Sequence, residues 1–465
     1  MNTPKDHPIK NHTQQLAKFC ASIHYEDLPE SVVHKAKLCI LDYVANVYGS
    51  LELEAVQQVA VYVKSIHENG NASVFGWDFK TDIHHAAFVN GTTAEAIEAQ
   101  DGVRFGGNHP GVSVIPAAFA MAEDQKADGK KMIEAIAAGY EAAARIAAAM
   151  HPWHTLGGFL PTGTCGTFGA AAAAGRLLNL DPDAMAAAFG NAGFTLPIST
   201  AETLMGGHTA KIVQGGQSAS TGLMAAGLAK QGIFWAPYII EGSKLNAGFA
   251  QITTAADPDL TRLTKDLGQA WAIEDVYFKP YTACRHTHGA AQATLAMARA
   301  NRIHLDAIES VTVFSYGIAE LAVGKQVRQG DSFVSAQFSI PFVVAVCLFD
   351  NELGPEQLTE KRLRDPELMA FSQRVRVCTD EALNAVYPEK TSSRVEIEFK
   401  DGSKISNQVD IPKGDPRDPM DAAAIIEKIK QFAREVKTKD EIDQIAETIL
   451  DLEQSGHIQD LTLKI

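Results

Sequence analysis

The stretch GAAAAAG, from Gly169 to Gly175, contains only glycine and alanine. Small side chains let two helix backbones approach closely, so this stretch predicts a helix packed tightly inside a bundle. Apolar residues at helical spacing recur in residues 31–49, 112–123 and 131–150. The first part of the chain, residues 1–268, is therefore predicted to be a helical domain.

The pattern changes near residue 270. Alternating apolar residues predict strands at 309–316, 375–377, 395–399 and 405–411, with a hairpin turn at Asp401-Gly402, and helices are predicted at 332–350 and 355–372. Residues 269–412 thus form a smaller α+β domain on this prediction. An amphipathic helix is expected from Asp421, and the helical segment 413–465 is expected to return to the first domain.

Composition excludes several classes of protein. The chain has 465 residues, of which 46% are hydrophobic and 21% charged, a normal globular balance. Its formal net charge of −15 argues against nucleic acid or an anionic membrane as a partner. The first ten residues lack the apolar core of a signal peptide, and six scattered cysteines without CxxC spacing indicate reduced thiols. We therefore expect a cytoplasmic protein.

The first candidate cluster combines two carboxylates and a histidine. Glu98 and Asp101 precede a glycine-rich loop that ends at His109, and a helical pattern resumes near Val114. A helix that begins there would present free N–H groups to an anion. The alternative is a polar loop whose histidine only caps a neighbouring group.

The second cluster surrounds Lys211. Gly215-Gly216 and Gln217 follow it, and a helix is predicted to open at Ser218. A lysine before a glycine-rich helix start suits carboxylate or phosphate binding, although the spacing of a Walker loop is absent. An exposed lysine without a function is the alternative.

The third cluster is the segment Lys279–His288. Lys279 and Arg285 could bind an anion and support proton transfer. Cys284, His286 and His288 could instead bind a metal, but they lack a usual zinc spacing. A basic loop at a domain junction is the remaining alternative.

Motifs distributed along almost the whole chain resemble those of the MmgE/PrpD family. They occur in the family's order at residues 90–101, His109-Pro110, Pro116–Ala118, Gly158–Ala170, Ala210–Ala219, Lys279–His288 and Asp418–Met420. The resemblance implies a mostly α fold in which both chain ends build a large helical domain and the smaller α+β domain is inserted as a lid. It also implies a homodimer and no cofactor or metal.

The resemblance further implies a lyase or isomerase that acts next to a carboxylate of a small di- or tricarboxylate, with dehydration favoured over decarboxylation and epimerisation. Lys211 and Lys279 would hold substrate carboxylates, His109 would transfer the proton, and Asp101 would orient His109 or act as a second acid or base. The implied catalytic residues are Asp101, His109, Lys211, Lys279 and Cys284. The implied substrate-binding residues are Glu98, Thr162, Gln217, Tyr281, Arg285 and His288.

The chain also departs from the family pattern. Leu160 and Glu95 stand where the family has histidines, Gln100 replaces an aspartate, and Cys284 replaces a catalytic histidine of cis-aconitate decarboxylase. These changes remove imidazoles and add a carboxylate near the expected site. The histidines that could compensate are His151, His154 and His208. A non-catalytic member that binds a small anion is the alternative hypothesis.

Overall fold

The helices of the first part of the chain include those predicted from small and apolar residues. The computed structural model describes residues 11–465. Its helices in this part are α1 (His12–Ala21), α2 (Glu30–Ser50), α3 (Glu54–Ile66), α4 (Ile83–Glu95), α5 (Gly111–Gln125), α6 (Gly129–Met150), α7 (Trp153–Leu156), α8 (Pro161–Leu177), α9 (Pro182–Thr195), α10 (Ala201–Met205), α11 (Val213–Lys230) and α12 (Phe249–Ile252). The predicted tracts correspond to α2, α5, α6 and α8, which confirms them.

Helix α8 is buried along its whole length, because its small residues allow close helix crossings. A Cβ atom on Gly169 would lie 2.8 Å from the carbonyl oxygen of Gly139 in α6. A Cβ atom on Gly139 would lie 2.4 Å from a methyl group of Val114 in α5. The glycines therefore set the spacing of the bundle, as the GAAAAAG stretch predicts.

The middle of the chain carries the principal sheet. The short strands are β1 (Ala72–Ser73), β2 (Lys80–Thr81), β3 (Gly102–Val103) and β4 (Val276–Tyr277), and the longer ones are β5 (Ile308–Ser315), β6 (Val375–Thr379), β7 (Ser393–Phe399) and β8 (Lys404–Val409). The longer strands form one sheet in the order β6-β5-β7-β8, in which β5 and β6 are parallel. Gly402, at a φ of 83°, allows the β7–β8 hairpin turn. The predicted strands and hairpin are confirmed.

Helices accompany this sheet. They are α13 (His288–Ala300), α14 (Gly317–Val323), α15 (Phe333–Gln337), α16 (Ile340–Asp350), α17 (Glu360–Leu363), α18 (Pro366–Ser372) and α19 (Glu381–Ala385). Residues 332–350 and 355–372 are helical as predicted, but each stretch is divided into shorter helices. Pro341 and Pro366 each occupy the first turn of a new helix, α16 and α18, because a proline lacks the N–H that would continue the preceding one.

The last helices are α20 (Ala422–Phe432), α21 (Lys439–Leu450) and α22 (Gln459–Thr462). Asp421 caps α20 through the N–H of Ala424, as the sequence predicts for a helix that starts there. The apolar side chains of these helices join the main core, which also contains those of α1, α2, α5, α6 and α8. Most buried apolar residues between 283 and 397 form a second core. The protein is mostly α, since α-helices and 3-10 helices together make up 58% of residues 11–465.

No helix within residues 11–465 is long and apolar enough to cross a membrane.

Candidate functional site

Glu98 lies at the centre of a buried ionic cluster. The Nζ atom of Lys279 is 2.8 Å from Oε1 of Glu98, and the Nζ atom of Lys211 donates a hydrogen bond to Oε2. All three side chains are at most 4% exposed. Glu98 follows α4 in the left-handed region, at a φ of 56°, which a non-glycine residue adopts rarely and often at functional positions. The fold thus unites one predicted residue from each cluster.

Glu98 and Lys211 each stabilise the ionised form of the other. Burial alone would raise the pKa of Glu98, but the ammonium groups of Lys211 and Lys279 hold it well below its usual range. Burial alone would lower the pKa of Lys211, but the carboxylates of Glu98 and Glu95 outweigh it and raise this pKa. Glu98 and Lys211 are therefore charged at neutral pH.

Glu95, the last residue of α4, is a second carboxylate in the cluster and is fully buried. Its Oε1 atom accepts hydrogen bonds from Nε2 of Gln214 at 2.6 Å and lies 3.1 Å from Nζ of Lys211. Its Oε2 atom accepts from the backbone N–H of Gly215 at 2.8 Å. The start of α11 is therefore capped by a carboxylate of the chain itself.

The prediction that this helix opens at Ser218 is wrong, because α11 begins at Val213. Gly215 and Gly216 lie inside it rather than at a turn. Gly216 allows α4 to pack closely against α11, because a Cβ atom there would lie 2.0 Å from the carbonyl oxygen of Phe88 in α4. Gln217 is consequently in the second turn, exposed, and donates to Thr221 Oγ1 at 3.2 Å. The structure does not bring Gln217 into the cluster.

His109 lies beside Glu98 as a neutral imidazole. Its Nδ1 atom is 2.6 Å from the backbone carbonyl oxygen of Asp101, which can only accept, so we assign the ring hydrogen to Nδ1. Its Nε2 atom, left with a free lone pair, is 3.9 Å from Oε1 of Glu98. Burial and the positive charge of Lys279 lower the pKa of His109 to about 3. Thr162 positions the loop by accepting from the His109 backbone N–H at 3.1 Å.

Asp101 orients His109 through its backbone and not through its carboxylate. Its side chain accepts from the Tyr140 hydroxyl at 2.6 Å and from the N–H of Gly111, the first residue of α5, at 3.1 Å. Burial raises the pKa of Asp101 to about 7, against the effect of the Tyr140 hydrogen bond. The start of α5 is thus also capped internally, which corrects the expectation of N–H groups open to an anion.

The segment after Lys279 is divided between the cluster and the scaffold. Cys284 is half-buried, and burial followed by the charge of Glu98 raises the pKa of its thiol to about 11, so it is protonated at neutral pH. Arg285 donates to the backbone carbonyl oxygens of Pro412 and Lys413, each at 2.7 Å. Its guanidinium therefore holds the 412–413 loop instead of a ligand.

Two further predicted binding residues pack against each other. The rings of Tyr281 and His288 have centroids 5.5 Å apart. His288 is fully buried and its Nε2 atom is 3.2 Å from the carbonyl oxygen of Ala283. Burial and the charge of Arg285 keep the pKa of His288 well below its ordinary value. This pair stabilises the segment that carries Cys284.

The structure does not gather Cys284, His286 and His288 into a metal site. The Nδ1 atom of His286 is 2.6 Å from the Tyr316 hydroxyl. Within residues 11–465, the side chains that could jointly hold a metal are instead at the surface, at His67, Asp82 and His85.

The three histidines proposed as compensation lie in different environments. His154 is buried, with Nδ1 3.0 Å from the carbonyl oxygen of Thr253 and Nε2 2.7 Å from Thr164 Oγ1, and burial lowers its pKa to about 4. His208 is exposed. His151 is half-buried, and its Nδ1 atom has no hydrogen-bond partner in the described part of the chain. His154 is therefore a core residue.

Sequence reasoning did not assign Glu95, Gln214 or Tyr140 to the site. The signal for Glu95 is its position where the family has a histidine, which adds a carboxylate near the expected site. Gln100 was noted only as a departure, yet it is buried and neither polar atom of its amide has a partner among residues 11–465.

Comparison with known proteins covers most of the chain. Residues 14–261 match the MmgE/PrpD N-terminal domain and residues 281–454 match the MmgE/PrpD C-terminal domain. A cis-aconitate decarboxylase of Aspergillus terreus is 26% identical to this chain over 97% of it and 94% of the relative. Those of Mus musculus and Homo sapiens are each 24% identical over 96% of this chain, and over 91% and 92% of their own lengths.

Proposed function

Since the chain belongs to the MmgE/PrpD family, we propose that it is a cofactor-independent lyase that removes a proton next to a carboxylate of a small di- or tricarboxylate. One observation carries the proposal. The free lone pair of His109 Nε2 lies beside two buried lysines that share one carboxylate, Glu98. A base beside fixed positive charge is what α-proton removal requires, because negative charge develops on the substrate carboxylate.

Dehydration uses these groups as follows. The imidazole of His109 takes the α-proton, and the electrons of the broken C–H bond form a C=C bond as hydroxide leaves the β-carbon. The protonated thiol of Cys284 gives its proton to the leaving hydroxide, which departs as water. Lys211 and Lys279 stabilise the enolate-like charge. A substrate carboxylate beside His109 also raises the pKa of the imidazole towards that of an effective base.

The test is proton exchange in D₂O, followed by NMR, across a panel of di- and tricarboxylates with and without a β-hydroxyl group. We expect deuterium at the α-carbon, or an alkene product, with the wild-type protein. His109→Gln, which keeps a side chain of similar size, is expected to lower the rate by about 10²–10⁴-fold while substrate binding is retained.

Binding without exchange by the wild-type protein would contradict the lyase proposal and favour the non-catalytic anion binder. Exchange without a new product would instead indicate an epimerase or isomerase.

Decarboxylation is the second candidate, because the relatives that cover nearly the whole chain are named cis-aconitate decarboxylases. There the bond to a carboxylate breaks, CO₂ leaves, and the resulting carbanion takes a proton from an acid such as the Cys284 thiol. Release of CO₂ in the same assays separates this reaction from dehydration.

We also propose that the α+β unit, residues 269–412, serves as a lid. Lys279 is fully buried and Lys211 is 4% exposed, so a ligand reaches them only if the segment around Lys279 moves away from α4 and α11. Hydrogen exchange checks this: backbone amides of residues 279–288 are expected to be better protected when a carboxylate is bound. Equal protection with and without ligand would contradict a lid.

The homodimer is a proposal that an exposed apolar surface supports. Five large apolar side chains are between 62% and 84% exposed, namely Phe194, Ile198, Phe234, Leu245 and Ile252. The ring of Phe194 packs against that of Trp235, which is 41% exposed, with centroids 3.9 Å apart, and large contiguous apolar surfaces usually mark an interface. Light scattering is expected to give twice the chain mass of 50.0 kDa. Phe234→Glu is expected to shift the protein to monomers, and an unchanged mass would place the interface elsewhere.

A further inference from the structure

Glu95 occupies a site that is built for an anion. Three donors surround its carboxylate: the Lys211 ammonium, the Gln214 amide and the N–H of Gly215 in the first turn of α11. A lysine and a helix N-terminus of this kind are typical ligands of a bound carboxylate. The chain thus supplies its own carboxylate where a substrate group would otherwise be held.

The remaining donors of the two lysines can be counted. An ammonium group has three N–H donors and no acceptor. Lys211 directs two towards Glu98 and Glu95, and Lys279 directs two towards Oε1 and the backbone carbonyl of Glu98. One donor remains on each lysine. Two donors are the number that the two oxygen atoms of a single carboxylate require.

The charge of the cluster leads to the same conclusion. The acidic side chains of Glu95 and Glu98 face the ammonium groups of Lys211 and Lys279, and His109 is neutral. Burial raises the pKa of Glu95, against the opposing effect of Lys211 and Gln214, so the pocket around Glu95 is already short of positive charge for a further carboxylate. Each substrate carboxylate adds a negative charge to the cluster. Burying a third carboxylate without a positively charged partner costs several kcal/mol. Arg285, which could add a positive charge, is bound to backbone carbonyl groups.

We propose that Glu95 takes the place of one substrate carboxylate, so that this chain acts on a dicarboxylate and discriminates against a tricarboxylate. The inference rests on the proposed function for the reaction, but it concerns only which carboxylates bind. One substrate carboxylate lies on Lys211 and Lys279 with its α-carbon towards His109, and the second lies away from the start of α11.

The test compares cis-aconitate with citraconate, which has the same cis double bond and lacks only the carboxylate on the methylene carbon. Binding is measured by isothermal titration calorimetry. The wild-type protein is expected to bind citraconate more tightly. Glu95→Gln is expected to raise the affinity for cis-aconitate relative to that for citraconate by roughly tenfold or more, because it removes the negative charge that repels the third carboxylate while it keeps a side chain of the same size.

Glu123→Gln is the matched control. Glu123 is also a buried carboxylate, 5% exposed, but its partners are the neutral groups of Ser73 and Thr462, away from the cluster. Its replacement is expected to leave the ratio of the two affinities unchanged. Thermal unfolding of both variants verifies that they are folded.

The proposal is overturned if the wild-type protein binds cis-aconitate more tightly than citraconate, if Glu95→Gln leaves the ratio of the two affinities unchanged, or if neither protein binds either compound. A lack of turnover with binding in the expected order would refute the lyase proposal alone, since calorimetry needs no reaction.

Discussion

Two buried lysine–carboxylate clusters lie close together in this protein and behave differently. In the candidate site Glu98 contacts Lys211 and Lys279. In the scaffold Lys428 of α20 is 2.7 Å from Asp42 of α2 and donates to the carbonyl oxygen of Ala99, also at 2.7 Å. Both clusters are nearly inaccessible to solvent, so burial alone does not distinguish them.

The number of opposite charges distinguishes them. Burial raises the pKa of Asp42 and lowers that of Lys428, because one opposite charge offsets only part of the desolvation. Two ammonium groups outweigh the burial of Glu98 and depress its pKa. The scaffold pair therefore fastens α20 to α2, whereas Glu98 holds two ammonium groups from distant parts of the chain at one carboxylate.

The largest expected difference between the clusters is in stability after loss of a lysine. Lys211→Met leaves Glu95 and Glu98 with one ammonium group between them and is expected to lower the free energy of unfolding by ~3–5 kcal/mol. Lys428→Met leaves Asp42, whose raised pKa eases its protonation, and is expected to cost about 1–3 kcal/mol. Denaturant unfolding at pH 7 measures both.

Lys430→Met is the control for these variants, because Lys430 pairs with Glu427 and Asp443 at the surface of the same helix, α20. Its replacement is expected to change stability by no more than about 0.5 kcal/mol. Equal losses for Lys211→Met and Lys428→Met would show that the second ammonium group does not distinguish the clusters.

A smaller difference is expected in the pH dependence of stability. The depressed pKa of Glu98 contributes stability above about pH 4, the range of an unfolded glutamate, and this contribution is lost as the pH falls through the folded value. The raised pKa of Asp42 has the opposite effect on stability. Its contribution to the free energy of unfolding is present at low pH and is lost as the pH rises through the pKa of Asp42 in the folded protein.

Unfolding free energies of Glu98→Gln and Asp42→Asn between pH 3 and 7 measure this. The stability difference between wild type and Glu98→Gln is expected to shrink as the pH falls, and that between wild type and Asp42→Asn to grow. Curves with the same slope would refute the contrast.

Much of the fold could be predicted from local sequence patterns, whereas the candidate site could be predicted only in part. Small residues predicted α8 and Asp401-Gly402 predicted the hairpin, because both effects act over a few residues. Lys211, Lys279 and His109 were identified by type and motif. Pro341 and Pro366 still divided two predicted helices, and Gly215-Gly216 lie within a helix that they were expected to precede.

The sequence by itself determined the helical tracts and the strands, and it identified Lys211, Lys279 and His109 as candidate site residues, since periodicity and motif order are properties of the chain. Only the tertiary structure decided what each charge faces. Glu95 and Asp101 cap α11 and α5, and Arg285 binds two backbone carbonyl groups. The physical reason is that a buried charge must find a partner, and partners distant in the chain meet only when the helices pack.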